Sequence, residues 1–192
     1  MRRYLSLIAL ILPLVAAGCA HRIDVQHYRF GSPMHHAYNG IEFIDMGLGE
    51  DAMREFRTAL VENPRFSPAL AGKGIYWALA GVPDVSRGYI ALAKRYAQTP
   101  DEKNFVLIAS MRVALVLGGD GWFEDVTSDY EAIAAQNPNN DEALYWMGVS
   151  LLKAGDTAEA QKRLKRVVDL GGRYMRQAQR YLKEMGSPVP NP

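Results

Sequence analysis

Small residues recur at Gly40, Gly74, Ala114 and Gly148, and prolines at Pro64, Pro100 and Pro138, spaced 36 and 38 residues apart. No other feature narrows the possible folds of this chain so far. Each proline closes a stretch of helical character: Val61-Glu62-Asn63-Pro64, Ala97-Gln98-Thr99-Pro100 and Ala135-Gln136-Asn137-Pro138. A period of this size marks stacked supersecondary units, each unable to bury its apolar face alone. At 192 residues the chain has room for a short array or one ordinary domain.

The last unit is the clearest. Leu144, Met147, Gly148, Leu151, Gly155, Ala160, Leu164 and Val167 alternate large and small residues at helix-turn-helix spacing, and Gly172 closes the unit. The first follows the same ruler with Gly40, Phe43, Gly47, Ala52, Phe56, Ala59 and Pro64. The second fits with two extra residues in its turn: Leu70, Gly74, Trp77, Gly81, Gly88, Leu92 and Pro100. The third is degenerate. It keeps Val113, Ala114, Leu117, Val126, Tyr130, Ile133 and Pro138, with Gly118-Gly119-Asp120-Gly121 lengthening its turn. Gly40, Gly74, Ala114 and Gly148 are expected where two helices cross closely, opposed by Ala52, Gly88 and Ala160. Phe56, Leu92, Tyr130 and Leu164 are the expected knobs between units.

Over residues 34–172 this pattern resembles the tetratricopeptide repeat. The resemblance implies an all-α, right-handed α-solenoid of about four helix pairs. Thr99-Pro100-Asp101-Glu102 reads as a capping box with proline at the first helical position, and Asp156-Thr157-Ala158-Glu159 as a box-like start. Ser67-Pro68 can open a helix as well. Beyond Gly171-Gly172, a stripe of Tyr174, Ala178, Tyr181, Leu182 and Met185 predicts a C-terminal cap helix. The solenoid is expected over 34–185, followed by a Pro-rich tail over 186–192.

The amino terminus reads as an address. Met1-Arg2-Arg3-Tyr4 is basic, Leu5 to Val15 is apolar, and small residues follow, as in a secretory signal peptide over 1–18. The apolar run is about half the ~20 residues a spanning helix needs. Ala16-Ala17-Gly18-Cys19 resembles the lipobox of bacterial lipoproteins, with Ala16 standing where that family most often has Leu. The resemblance implies cleavage before Cys19, acylation of Cys19 and stable membrane attachment. Ala20, in place of Asp, implies sorting to the outer membrane, on its periplasmic face. A flexible tether is expected over 19–33.

Composition excludes several function classes. The 22 Lys and Arg nearly balance 21 Asp and Glu, so no overall basic field for nucleic acid exists. One Cys excludes a disulfide framework and a Cys-rich zinc site. The four histidines fall between His21 and His36, and His27, His35, His36 and Asp24 form the candidate metal set; a solvated tether is the simpler reading. Gly118-Gly119-Asp120-Gly121 lacks the preceding strand and following Lys of a phosphate loop. Glu124, Asp125, Asp129 and Glu131 read as a solvated helix face. No nucleophile-base arrangement is visible, so neither an enzyme nor a cofactor is expected.

Two surfaces remain as binding candidates. The tetratricopeptide resemblance places Ala71, Ile75, Ala78, Met111, Leu115, Tyr145, Val149 and Leu152 along a concave groove suited to an apolar or amphipathic segment. Arg173, Arg176, Arg180 and Lys183, in the basic run from Lys162, form a possible contact for an anionic partner, or the polar face of the last helices. The expected function is a non-catalytic adaptor holding a protein or peptide partner at the envelope of a Gram-negative cell. Its most specific form is an assembly factor resembling the pilotins of pili and secretion systems. An accessory role beside a transporter or a peptidoglycan enzyme is the second reading, and metal carriage by the His-rich segment the third.

Overall fold

The structure is a computed structural model that describes residues 29–186. The expected signal peptide (1–18), Cys19, Ala20, His21, Asp24, His27 and the tail beyond Gly186 lie outside those residues. Nine helices, and no strand, occur among the described residues. They are α1 (Pro33–Asp45), α2 (Gly49–Glu62), α3 (Ser67–Leu79), α4 (Pro83–Tyr96), α5 (Pro100–Leu117), α6 (Trp122–Ala134), α7 (Asp141–Ala154), α8 (Thr157–Leu170) and α9 (Met175–Glu184). Successive pairs α1/α2, α3/α4, α5/α6 and α7/α8 form hairpins, and α9 packs on α8. The expected all-α architecture of four pairs and a C-terminal helix is what the chain forms.

Local chemistry sets the helix starts. Ser32 caps α1, its hydroxyl accepting from the His35 amide, so His35 and His36 belong to a helix and not to a tether. Thr99 and Asp156 cap α5 and α8 by accepting from the amides of Glu102 and Glu159, as their box sequences predict. Ser67 does not cap α3. It is buried as the first residue of that helix, and its hydroxyl donates to Glu102, 2.8 Å away.

Close approach of helices depends on missing side chains. The Phe56 ring lies between α1 and α3, filling the space a Cβ would need at both Gly40 and Gly72. Ile90 occupies that space at Gly74, and Leu164 packs against Gly148. Complete burial of Phe56 contributes about 1.5–3 kcal/mol of transfer free energy, and ring-on-backbone contact is possible only over glycine.

The second unit corrects the ruler. Gly88 faces open space and Leu92 is 40% exposed, so neither is an inter-helix contact. Ser86, Ile90 and Ala93 are the buried positions of α4. They follow Ala52, Phe56 and Ala59 by 34 residues, with no insertion in the turn. Ser86 occupies a small-residue position because its hydroxyl donates to the Gly74 carbonyl at 2.8 Å, which satisfies a buried polar group. Pro100 is the first residue of α5 rather than the end of the preceding unit.

The extra length falls in the third unit, where α5 runs for 18 residues before Gly118, Gly119 and Gly121 turn the chain with positive φ. This unit is a regular hairpin. Helix α5 is buried on two sides, giving Phe105, Val106, Ala109 and Val113 to one apolar core and Ile108 and Met111 to the next. Asp129 also departs from expectation: it is buried in α6 and accepts from Lys94 of α4 at 3.0 Å.

Two glycine substitutions separate packing from helix propensity. Gly72→Ala drives a methyl group into the Phe56 ring and is expected to cost about 1–3 kcal/mol. Gly88→Ala, in open space, is expected to stabilise by roughly 0.5–1 kcal/mol. Urea denaturation of the two variants checks both signs.

Candidate interaction surfaces

The odd helices α1, α3, α5 and α7 pack side by side and form the inner wall of the array. Six of the eight expected groove residues are core: Ala71, Ile75, Ala78, Met111, Leu115 and Tyr145 are each at most 9% exposed. Val149 and Leu152 keep partial surface. The inner wall therefore does not offer these eight side chains as an open apolar strip. Part of the covering is the Tyr174 ring, which stacks on Tyr145 with centroids 4.4 Å apart and planes within 5°.

A charged cluster sits over this wall and joins the first unit to the last. The Asp45 carboxylate, at the end of α1, accepts from Arg112 of α5 at 2.7 Å, from Arg173 at 3.3 Å and from the Tyr174 hydroxyl at 2.8 Å. Arg173 also approaches Glu142 of α7 at 3.5 Å. Arg112 is 7% exposed and lies 4.4 Å from the Trp146 ring, in cation–π geometry. Gly172 makes the arrangement possible. Asp141 fills the space a Cβ would take there while accepting from the Arg173 amide at 3.1 Å.

Burial pushes the Glu142 carboxyl above the ordinary carboxylate range; Arg173 pulls it back and Asp141 raises it further. Burial also raises the Tyr174 and Tyr145 phenols, so both stay protonated and Tyr174 remains a donor to Asp45. On the inner face a small cleft lies between Tyr38, Ile41, Ile75, Phe105 and Ile108 on its apolar side and Arg112, Glu142 and Arg173 on its charged side. Its interior has room for about one water molecule.

The other sequence candidates divide similarly. Arg173 is taken up by Asp45 and Glu142, whereas Arg176, Arg180 and Lys183 lie on α9 outside that cluster. His36 faces Glu55 at 2.6 Å, and His35 Nδ1 accepts from the Gly31 amide. Among the described residues no three His, Cys, Asp or Glu side chains gather as a metal site, and no helix is long and apolar enough to cross a membrane. Sequence reasoning missed Asp45, Arg112 and Glu142. Arg112 carried a signal: it is the one charge in the apolar stretch from Phe105 to Leu117, and a lone charge there needs a buried partner.

Residues 120–180 match the tetratricopeptide-repeat family model. The whole fold is similar to a thermophilic TPR protein of Thermus thermophilus, with a TM-score of 0.62 and 18% identity over 81% of this chain and 84% of that one. Pseudomonas aeruginosa pilF aligns at a TM-score of 0.35 and 16% identity, over 80% of this chain and 84% of that one. The sequence is also 27% identical over 136 residues to cellulose synthase 1 operon protein C of Komagataeibacter xylinus, matching 67% of this chain. The chain spans about 10% of the length of that curated relative. Residues 120–180 thus carry a tetratricopeptide-repeat match, and the described residues as a whole share the all-α, paired-helix fold of a TPR protein.

Two substitutions test the cluster. Asp45→Ala leaves two guanidinium groups without their shared carboxylate and is expected to cost roughly 3 kcal/mol. That corresponds to about 6–12 °C in melting temperature for a chain of this size. Glu142 has the opposite sign. Its folded-state pKa is raised, so its contribution to stability is complete below about 4.5 and is lost as pH rises through the folded value. Glu142→Gln should therefore raise the melting temperature relative to wild type at pH 8, with a smaller difference at pH 5; paired thermal scans at the two pH values measure it.

Proposed function

We propose that this protein is a lipid-anchored adaptor of the bacterial envelope, held by acylated Cys19 at the periplasmic face of the outer membrane, that brings a protein partner to an envelope assembly. The observation that carries the reading is the pairing of a helical-repeat scaffold with a lipobox-like Ala16-Ala17-Gly18-Cys19 at the end of a signal-type leader. Acyl chains confine the scaffold to a surface, and confinement raises the effective concentration of any partner assembled there. A pilotin-like role in building a pilus or secretion channel is the most specific form. An accessory role beside a transporter or a cell-wall enzyme uses the same mechanics.

The structure changes where a partner is to be sought. Tyr145 stacks in the core and is a poor reporter; Tyr38, on the wall of the inner cleft, and Val116, 41% exposed, are better ones. Photoreactive residues at positions 38 and 116, in cells, are expected to capture one envelope protein, and Cys19→Ala should abolish both that capture and palmitate labelling. Labelling that persists without Cys19 refutes the anchor. Failure to capture any protein from either position refutes the adaptor.

A further inference from the structure

The connections 46–48, 63–66, 80–82 and 97–99 are short, so neighbouring helices run antiparallel and the odd helices run parallel to one another. The carboxyl ends of the odd helices and the amino ends of the even ones therefore share one edge of the array. Two contacts tie that edge together. The Tyr76 hydroxyl, late in α3, donates to Glu50 in the first turn of α2 at 3.3 Å. Lys153, late in α7, donates to the Leu115 carbonyl near the end of α5 and lies over the Trp122 ring.

Of the eight exposed large apolar side chains among the described residues, five lie along this edge, whereas Phe30, Val61 and Leu92 lie elsewhere. Met46 is 66% exposed, Leu79 55%, Leu48 45%, Val116 41% and Val85 40%. Single exposed apolar residues are ordinary, but a row repeated in successive turns is the signature of a contact surface. Acids flank the row: Glu50, Asp84, Asp120, Glu124, Asp125 and Asp156. Acids in the first turn of a helix complement its free amides and dipole. That explains why they sit there and leaves the exposed Met, Leu and Val side chains unexplained. Cations do not neutralise the edge. Arg54 pairs with Asp51 in its own helix, Arg87 reaches Asp84 only at 3.8 Å, and Lys153 is turned onto a carbonyl and a ring. Asp120, Glu124, Asp125 and Asp156 have no ion-pair partner among the described residues.

We infer that this acidic, apolar edge is the docking surface for a cationic amphipathic helix of a partner protein. The inference rests on the adaptor reading and names the chemistry of its partner. Apolar residues on one stripe of that helix cover Met46, Leu79 and Val116, while Lys and Arg beside the stripe meet the flanking carboxylates. The size fits. The apolar row from α1 to α5 takes about 16–20 Å of an edge that odd helices spaced about 8–10 Å apart make roughly 25–30 Å long. A helix of about 16–20 residues spans that distance at about 1.5 Å per residue.

The test uses the full chain in nanodiscs of zwitterionic phosphatidylcholine, with empty discs as control. The probes are a fluorescent 18-residue Leu/Lys amphipathic peptide and its Leu/Glu counterpart. Anisotropy titration is expected to show binding of the Leu/Lys peptide alone, with hydrogen-exchange protection mapped to 46–50, 79–85 and 116–125. Asp120→Asn/Glu124→Gln/Asp125→Asn and, separately, Leu79→Ser/Val116→Ser should each weaken the affinity at least tenfold. All five side chains are exposed, so the fold should hold, with the melting temperature lowered by a few degrees at most where Glu124 and Asp125 leave the first turn of α6; Met46→Ser, in a turn, provides a further apolar variant. Equal binding of the Leu/Glu peptide, affinities within twofold in both variant sets, or protection confined to the inner cleft or α9 overturns the inference. Capture of a partner in cells from position 38 alone, unaffected by the edge variants, overturns it and leaves the adaptor standing. Edge binding without any captured partner does the reverse.

Discussion

The Asp45 carboxylate holds together parts of the chain that are 128 and 129 residues apart in sequence, accepting from Arg173 and Tyr174 beyond the last hairpin and from Arg112 in the middle of the array. Solenoids are otherwise built from nearest-neighbour contacts, and their stability is close to a sum of local terms. A bond between the first hairpin and the segment that follows the last one makes the ends interdependent. It also demands its own environment. Glu142 stands beside the two guanidinium groups, 3.5 Å from Arg173, but its burial raises its carboxyl pKa, so its charge is held there at a cost. The Trp146 ring and the stacked Tyr145–Tyr174 pair then exclude water around it. The inner wall is closed because this cluster occupies it.

Helix α5 makes that closure geometrically possible. A helix buried on one side would end its unit after 13 or 14 residues, as α1, α2, α3 and α4 do. With 18 residues and apolar positions all around, α5 serves two cores and presents Arg112 across the inner face toward Asp45. The longer unit and its glycine turn are the local adjustment that lets a short array bend far enough for its two ends to meet.

Much of this architecture is legible in the sequence, and the failures have physical causes. The first and last units follow their small–large pattern because Gly40 against Phe56 and Gly148 against Leu164 are steric requirements that leave few alternatives. Thr99, Asp156 and the stripe of α9 are local signals and fold as such. The second unit misleads because its prolines suggest the wrong register. A proline at the start of a helix and one at the end of a unit look alike in one dimension. Ser86 disguises a buried small position behind a polar side chain whose partner, the Gly74 carbonyl, lies on another helix. The state of the groove is hidden for a different reason. Periodicity assigns Ile75, Met111 and Tyr145 to the inner face, but whether that face is open depends on contacts over more than a hundred residues, and no local pattern encodes Asp45 meeting Tyr174.

Closing one face of a repeat array moves its capacity for recognition elsewhere. Once Arg112, Arg173 and the aromatic rings fill the inner wall, the remaining inner cleft holds little more than a water molecule, too small for a helix or an extended peptide. Side chains at the turn edge escape this closure, because hairpin ends point along the helix axes, away from the neighbouring units that would bury them. Apolar residues at that edge thus persist at 40–66% exposure, beside two continuous cores that bury most of the other large apolar side chains. The carboxylates around them keep the edge soluble and single-signed, a combination that repels a second copy of the same edge while remaining attractive to a segment of opposite charge.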